Sequence, residues 1–229
     1  MKNMYFGDVN DYQKYGLLRI LANKGQYKIG VCWMLTIDDG HTDGKFIAYL
    51  DQPQRWRQYD PALFDSLRNS IVSGRNRNVA LAKNLNILAG AKFYDSFITD
   101  LRDNRAMYFN EMRVTLSECE LIFFDPDNGI EIRSIAKGRR NSSKYIYWDE
   151  IIDAYKTGHS VLVYQHFPRE KRSTFCKRMV REMQTRLNSH AVYCFRTPRV
   201  VYFLGVSEKH ANHMADRVER ISQQWHGKI

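Results

Sequence analysis

Residues 121–131 read LIFFDPDNGIE, and within them Asp125, Pro126, Asp127 and Asn128 stand side by side. Two carboxylates and an amide in four positions bring hydrogen-bonding groups for a polar ligand to one point, with the proline ring stiffening the backbone between them. Asp125, Asp127 and Glu131 also form a compact acidic set of hard oxygen ligands. Such a set suits magnesium and metal-dependent hydrolysis, as in a nuclease. Aspartates in a glycine turn can instead do no more than cap the backbone that follows.

The surrounding pattern favours a site. Leu121, Ile122, Phe123 and Phe124 form an apolar run bounded by a turn signal, the pattern of a strand buried on both faces. Pro126 cannot donate to a ladder and Asn128-Gly129 favours a turn, so the strand is predicted to stop at Asp125. In open α/β sheets the crevice outside the carboxyl ends of the strands is where ligands bind.

The rest of the chain supplies the layers. Asn10 or Asp11 caps a predicted helix to about residue 23, which Gly25 ends. Its apolar face carries Leu17, Leu18, Ile20 and Leu21, with Lys14 near its polar start. Residues 27–36 read as a first central strand leading into IDDGHTDGKF, a loop with Asp38, Gly40 and Gly44. A glycine turn after a first strand is a usual place for a nucleotide-type ligand, although this one is not a G-x-G-x-x-G. His41 has no second histidine at ligand spacing and reads as a loop residue. Asp60-Pro61 opens a helix bearing Leu63, Phe64, Leu67 and Ile71. A short strand at 91–98 and a helix at 104–118 follow, the latter with Met107, Tyr108, Met112 and Leu116 toward the core. After the acidic motif come a helix opened by Trp148, a strand at 159–165 ending at His166, and a basic helix from about Arg169 to Leu187. A hairpin (191–195 and 200–206) and a last helix (208–225, packing Ala211, Met214, Val218 and Ile221) close the chain. This alternation predicts one α/β domain with a mostly parallel sheet, helices on both faces, a C-terminal antiparallel hairpin and a helical insertion at about 50–90.

Lys and Arg total 35 against 25 Asp and Glu, a formal charge of +10. The excess clusters at 73–78, at 137–144 and on the helix after Pro168, which points to nucleic acid as the partner. Arg75, Arg77, Arg139, Arg140 and Arg169 are the candidate phosphate contacts. Trp56, between Arg55 and Arg57, either stacks on a base or packs inward. The four cysteines are scattered without a C-x-x-C pair, so buried free thiols are expected rather than zinc ligands or disulfides. With no signal-peptide core and no long apolar run, the expected location is cytoplasmic.

Three stretches resemble a known family. A parallel sheet closed by an antiparallel hairpin is similar to the Rossmann-like methyltransferases that use S-adenosylmethionine, and FFDPDNG stands where amino-methylating members carry D-P-P-[YFW]. The opening GDVNDYQKYGLL resembles the G-N-x-A-D-x-x-K-H segment of the large-subunit ribosomal RNA adenine methyltransferases, matching at Gly7, Asp11 and Lys14. IDDGHTDGKF resembles their I-D-T-H-A-G-A-G-R-Y cofactor loop at Ile37, Asp38 and Gly44. Thr42 stands in place of a glycine, and Asp127-Asn128-Gly129 replaces P-Y-E, so the stacking aromatic must come from elsewhere, with Tyr147, Trp148, Tyr164 and Phe167 as candidates. The resemblance implies methyl transfer from S-adenosylmethionine to an exocyclic amine of a nucleic-acid base. Asp125, Pro126, Asp127 and Asn128 would be catalytic, and Asp38, Gly40 and Gly44 would contact cofactor. Asp11, Lys14, Arg139, Arg140, His166 and Arg169 would contact substrate. The alternatives are the magnesium nuclease and a catalytically inactive nucleic-acid-binding protein on the same scaffold.

Overall fold

A computed structural model of the chain describes residues 1–37, 44, 46–74, 77–189 and 191–229. In chain order the elements are α1 (Val9–Ala22), β1 (Ile29–Cys32), α2 (Pro53–Trp56), α3 (Pro61–Ser73), α4 (Leu81–Asn84), β2 (Lys92–Tyr94), α5 (Arg102–Thr115) and β3 (Leu121–Phe124). They continue with β4 (Gly129–Ile130), β5 (Tyr145–Ile146), α6 (Trp148–Lys156), β6 (Ser160–His166), α7 (Arg172–Leu187), β7 (Val192–Arg196), β8 (Val200–Gly205) and α8 (Ala211–Gln224). Six strands form one sheet in the order β2-β1-β3-β6-β8-β7. β2, β1, β3 and β6 run parallel, whereas β8 is antiparallel to both β6 and β7. The expected mostly parallel α/β sheet with a terminal antiparallel hairpin is therefore present.

β3 lies inside the sheet, with Phe123 opposite Val31 and Leu162, and Phe124 opposite Cys32 and Val163. Its side chains alternate between two cores. Leu121 and Phe123 join one with α1, α3 and α8, while Ile122 and Phe124 join another with α5, α6 and α7. All four are fully buried, at roughly 1.5–3 kcal/mol of stabilisation each. Both faces are covered, which is why the run is continuous rather than alternating.

Several boundaries differ from the sequence pattern for local reasons. α1 is capped by Asp8, not by Asn10 or Asp11. The Asp8 carboxylate accepts from the N–H of Asn10 (2.8 Å) and of Asp11 (2.9 Å), which leaves Asp11 inside the first turn. β1 ends at Cys32 rather than at residue 36, because Met34 takes a left-handed φ of +46° that a strand cannot continue through. On α5 the buried stripe is Arg105, Tyr108, Phe109 and Met112, and Met107 points to solvent at 60% exposure, one residue off that stripe. α7 starts at Arg172, beyond the turn that Pro168 imposes. Trp56 packs inward against Tyr12 and Tyr49, which decides between its two readings. The thiols are free, with Cys32, Cys119 and Cys176 buried and Cys194 partly so. Among the described residues no helix is long and apolar enough to cross a membrane.

α1 and α8 meet at one tight contact. A Cβ on Gly16 would lie 2.0 Å from Cζ2 of Trp225, itself fully buried. Gly16→Ala is therefore expected to force the helices apart and lower stability by about 1–3 kcal/mol. Urea denaturation with an unchanged midpoint would show that the contact yields freely.

Candidate functional site

The strand order reverses between β1 and β3, since the chain builds outward to β2 on one side and to β6 on the other. A crevice opens at such a switch point, outside the carboxyl ends of the strands. Next to it, at the carboxyl ends of β3 and β6, lies a cavity of about 460 Å³. Asp125, Pro126 and Asp127 come from the end of β3, Tyr164 and His166 from the end of β6, and Asp8, Asn10, Asp11 and Lys14 from the start of α1. Met1, Tyr5, Gly44 and Phe46 complete the wall.

Its centre is a buried chain of charges. Lys14 Nζ lies 2.6 Å from Asp11 Oδ1 and 2.7 Å from Asp125 Oδ2, with all three side chains about 3% exposed. The helix start is why: Asp11 and Lys14 are one turn apart on α1, so both face β3. Asp11 Oδ2 takes the N–H of Gly7 at 3.0 Å. The ammonium also sits 5.1 Å from the Trp33 ring centroid and 5.5 Å from that of Tyr15. Burial alone would push the lysine pKa down, but the charges of Asp11 and Asp125 outweigh it and hold it above the ordinary value. Asp11 is raised, chiefly by burial, against the opposing pull of Lys14. Asp8 is raised to about 7 by burial and by the Asp11 charge, against the cap bond from Asp11 and the charges of Lys14 and Arg77.

Asp127 holds another wall. Its Oδ2 takes the Thr36 hydroxyl at 2.7 Å, and its Oδ1 is 2.7 Å from the amino group of Met1. Tyr164 offers a ring at the cavity edge, with its hydroxyl 3.1 Å from His166 Nε2.

Eight of the residues picked from the sequence thus meet in one place: Asp11, Lys14, Gly44, Asp125, Pro126, Asp127, Tyr164 and His166. The others do not. Asn128 lies outside the wall and works through its backbone, donating its N–H to Lys144 O (2.9 Å) and accepting from the N–H of His166 (3.1 Å). Glu131 turns away, its Oε1 accepting from the N–H of Trp148 (2.9 Å) at the start of α6. The acidic set Asp125, Asp127 and Glu131 therefore does not converge, and among the described residues no three His, Cys, Asp or Glu side chains gather as metal ligands. Arg139, Arg140 and Arg169 are exposed and outside the cavity. Arg77 is not a phosphate contact. It donates to the carbonyls of Phe6 (2.6 Å), Tyr5 (3.1 Å) and Gly44, pinning the cavity wall. Asp38, Gly40, His41, Thr42 and Arg75 lie outside the described residues. Gly44 has φ +77°, and a Cβ there would be 2.5 Å from Met4 O, so its need for glycine comes from the protein's own backbone. Of the four aromatic candidates only Tyr164 lines the cavity. Tyr147 is stacked under Arg105, Trp148 under Arg186, and Phe167 against Phe175.

Asn10 read only as a possible helix cap, and Met1, Tyr5 and Asp8 were not picked as site residues from the sequence. Phe46 was visible only through the likeness of its loop. The chain matches no protein-family model and no curated protein.

Proposed function

We propose that the protein transfers a methyl group from S-adenosylmethionine to an exocyclic amine of a nucleic-acid base, on a Rossmann-like scaffold. The observation that carries this reading is the 2.7 Å contact between Lys14 and Asp125. It joins two stretches 111 residues apart, each of which resembles the same methyltransferase family. The donor set fits the cofactor. Four carboxylates (Asp8, Asp11, Asp125 and Asp127) line the cavity against two cations, Lys14 and the Met1 amino group, and the acidic excess suits a ligand bearing a sulfonium and an ammonium. The volume lies within the ~300–1,000 Å³ usual for small-molecule sites.

The bound cofactor would supply an electrophilic methyl group, and the chain's own task is placement. Lys14 fixes one oxygen of Asp125, and a carboxylate so held can accept a hydrogen bond from the target amine at its other oxygen. That bond orients the nitrogen lone pair and raises its nucleophilicity, so positioning supplies most of the rate. Tyr164 offers a ring surface on which a flipped base can lie, whereas the Phe46 ring is covered by the Arg199 guanidinium at 3.6 Å. The magnesium-nuclease reading lacks comparable support, because Glu131 is engaged at the start of α6.

Calorimetric titration with S-adenosylmethionine, with S-adenosylhomocysteine and with magnesium separately tests the reading. Micromolar binding of both cofactor forms is expected, and labelled methyl should pass to RNA or DNA. Asp125→Asn should keep cofactor binding and slow transfer roughly 10²-fold or more. Absence of cofactor binding, or undiminished transfer by the variant, rejects the assignment.

A further inference from the structure

The short β4–β5 pair follows the acidic motif directly. Asn128 N donates to Lys144 O (2.9 Å) and Glu131 N to Ile146 O (2.8 Å), so residues 131–144 form an excursion rooted beside the cavity. The excursion is tied to the β2–α5 connection. Asp100 takes the N–H of Asn141 (2.9 Å) and of Ser143 (2.7 Å) and the hydroxyl of Ser142 (3.3 Å), and Arg102 Nε donates to Lys137 O (3.1 Å). The connection is held in turn to the cavity. Phe97 bridges to Leu35, Ile98 N donates to Leu35 O (2.8 Å), and the next residue, Thr36, bonds Asp127.

This fixed surface has an unusual composition. Phe97 and Leu101 are 54% and 64% exposed on one part, and Arg139 and Arg140 project from the other. Large apolar groups left in water beside free guanidinium groups are what a single strand needs: a ring for a base face and cations for the phosphates. A duplex would hide its base faces and gain nothing from the ring.

We propose that Phe97 and Leu101, together with Arg139 and Arg140, form a track for an unpaired nucleic-acid segment flanking the target base. The proposal rests on the nucleic-acid part of the functional reading, not on the cofactor.

Fluorescence anisotropy with a labelled oligouridylate and with a blunt duplex tests it. Wild type should prefer the single strand. Phe97→Leu keeps an apolar group but cannot stack, and should weaken single-strand binding about tenfold, whereas Phe97→Tyr should retain it. Arg139→Ala with Arg140→Ala should reduce the salt slope by about 1.4. Val114→Ala, at a still more exposed position near the far end of α5, should change nothing. If wild type binds the strand and Phe97→Leu binds equally well, the track is wrong and the nucleic-acid reading survives. If wild type binds neither probe, both fall. Equal affinity for the duplex, or a self-association abolished by Phe97→Leu, would assign the surface to another occupant and overturn the proposal.

Discussion

Lys14→Met is expected to lower stability by about 3–5 kcal/mol at neutral pH, because it strands two buried carboxylates without their counter-charge. Asp11 and Asp125 are both about 3% exposed, and the ammonium between them is the cation shared by the two. Methionine matches the lysine stem in length and flexibility, so the loss reports charge rather than a void. To fold, the variant's carboxylates must take up protons, which is easier at low pH. The deficit should therefore shrink as the pH falls from 8 toward 5. Urea melts of both proteins at these two pH values check it. A loss below about 1 kcal/mol, equal at both, would mean that the triad is not coupled to folding.

Asp8 governs the second large effect. Its folded value near 7 lies above the ordinary 3.8. A carboxyl raised on folding contributes stability that is complete below about pH 4 and is lost as the pH rises through about 7. The change over that window is on the order of 4 kcal/mol. Asp8→Asn keeps a cap of equal rank while removing the titration. The variant should be more stable than wild type at pH 8 and show a flatter profile between pH 4 and 7. A residual slope in the same direction belongs to Asp11, which is also raised. A variant less stable than wild type at pH 8 would show that the ionised cap outweighs its burial.

The fold was legible wherever burial leaves a pattern. The apolar run at 121–124, the alternation of elements and the terminal hairpin all follow from faces that must be covered. The site was half legible. Asp125 and Asp127 announce themselves at a strand end, but nothing in the spacing of Asp11 and Lys14 states that they meet β3, since that pairing spans the whole first half of the chain. Glu131 shows the opposite failure. Its alternation with Asp125 and Asp127 is real in sequence, yet the backbone turns at Gly129 (φ +124°) and delivers the carboxylate to α6. Arg77 looked like a phosphate ligand because a basic loop and a buried carbonyl clamp share one composition.

The contact of Gly16 with Trp225 also bears on the order in which the chain is made. α1 carries two of the three members of the charge triad and is made early, but one helix that backs it, α8, is the last described element to appear. At about 5–20 residues per second, α1 waits on the order of ten seconds before α8 can pack against it. The strand that lies between β6 and β7 is likewise made after both of its neighbours, so the sheet closes by late insertion. The backing of α1 thus depends on an element made long after it, and the described sheet closes late in synthesis.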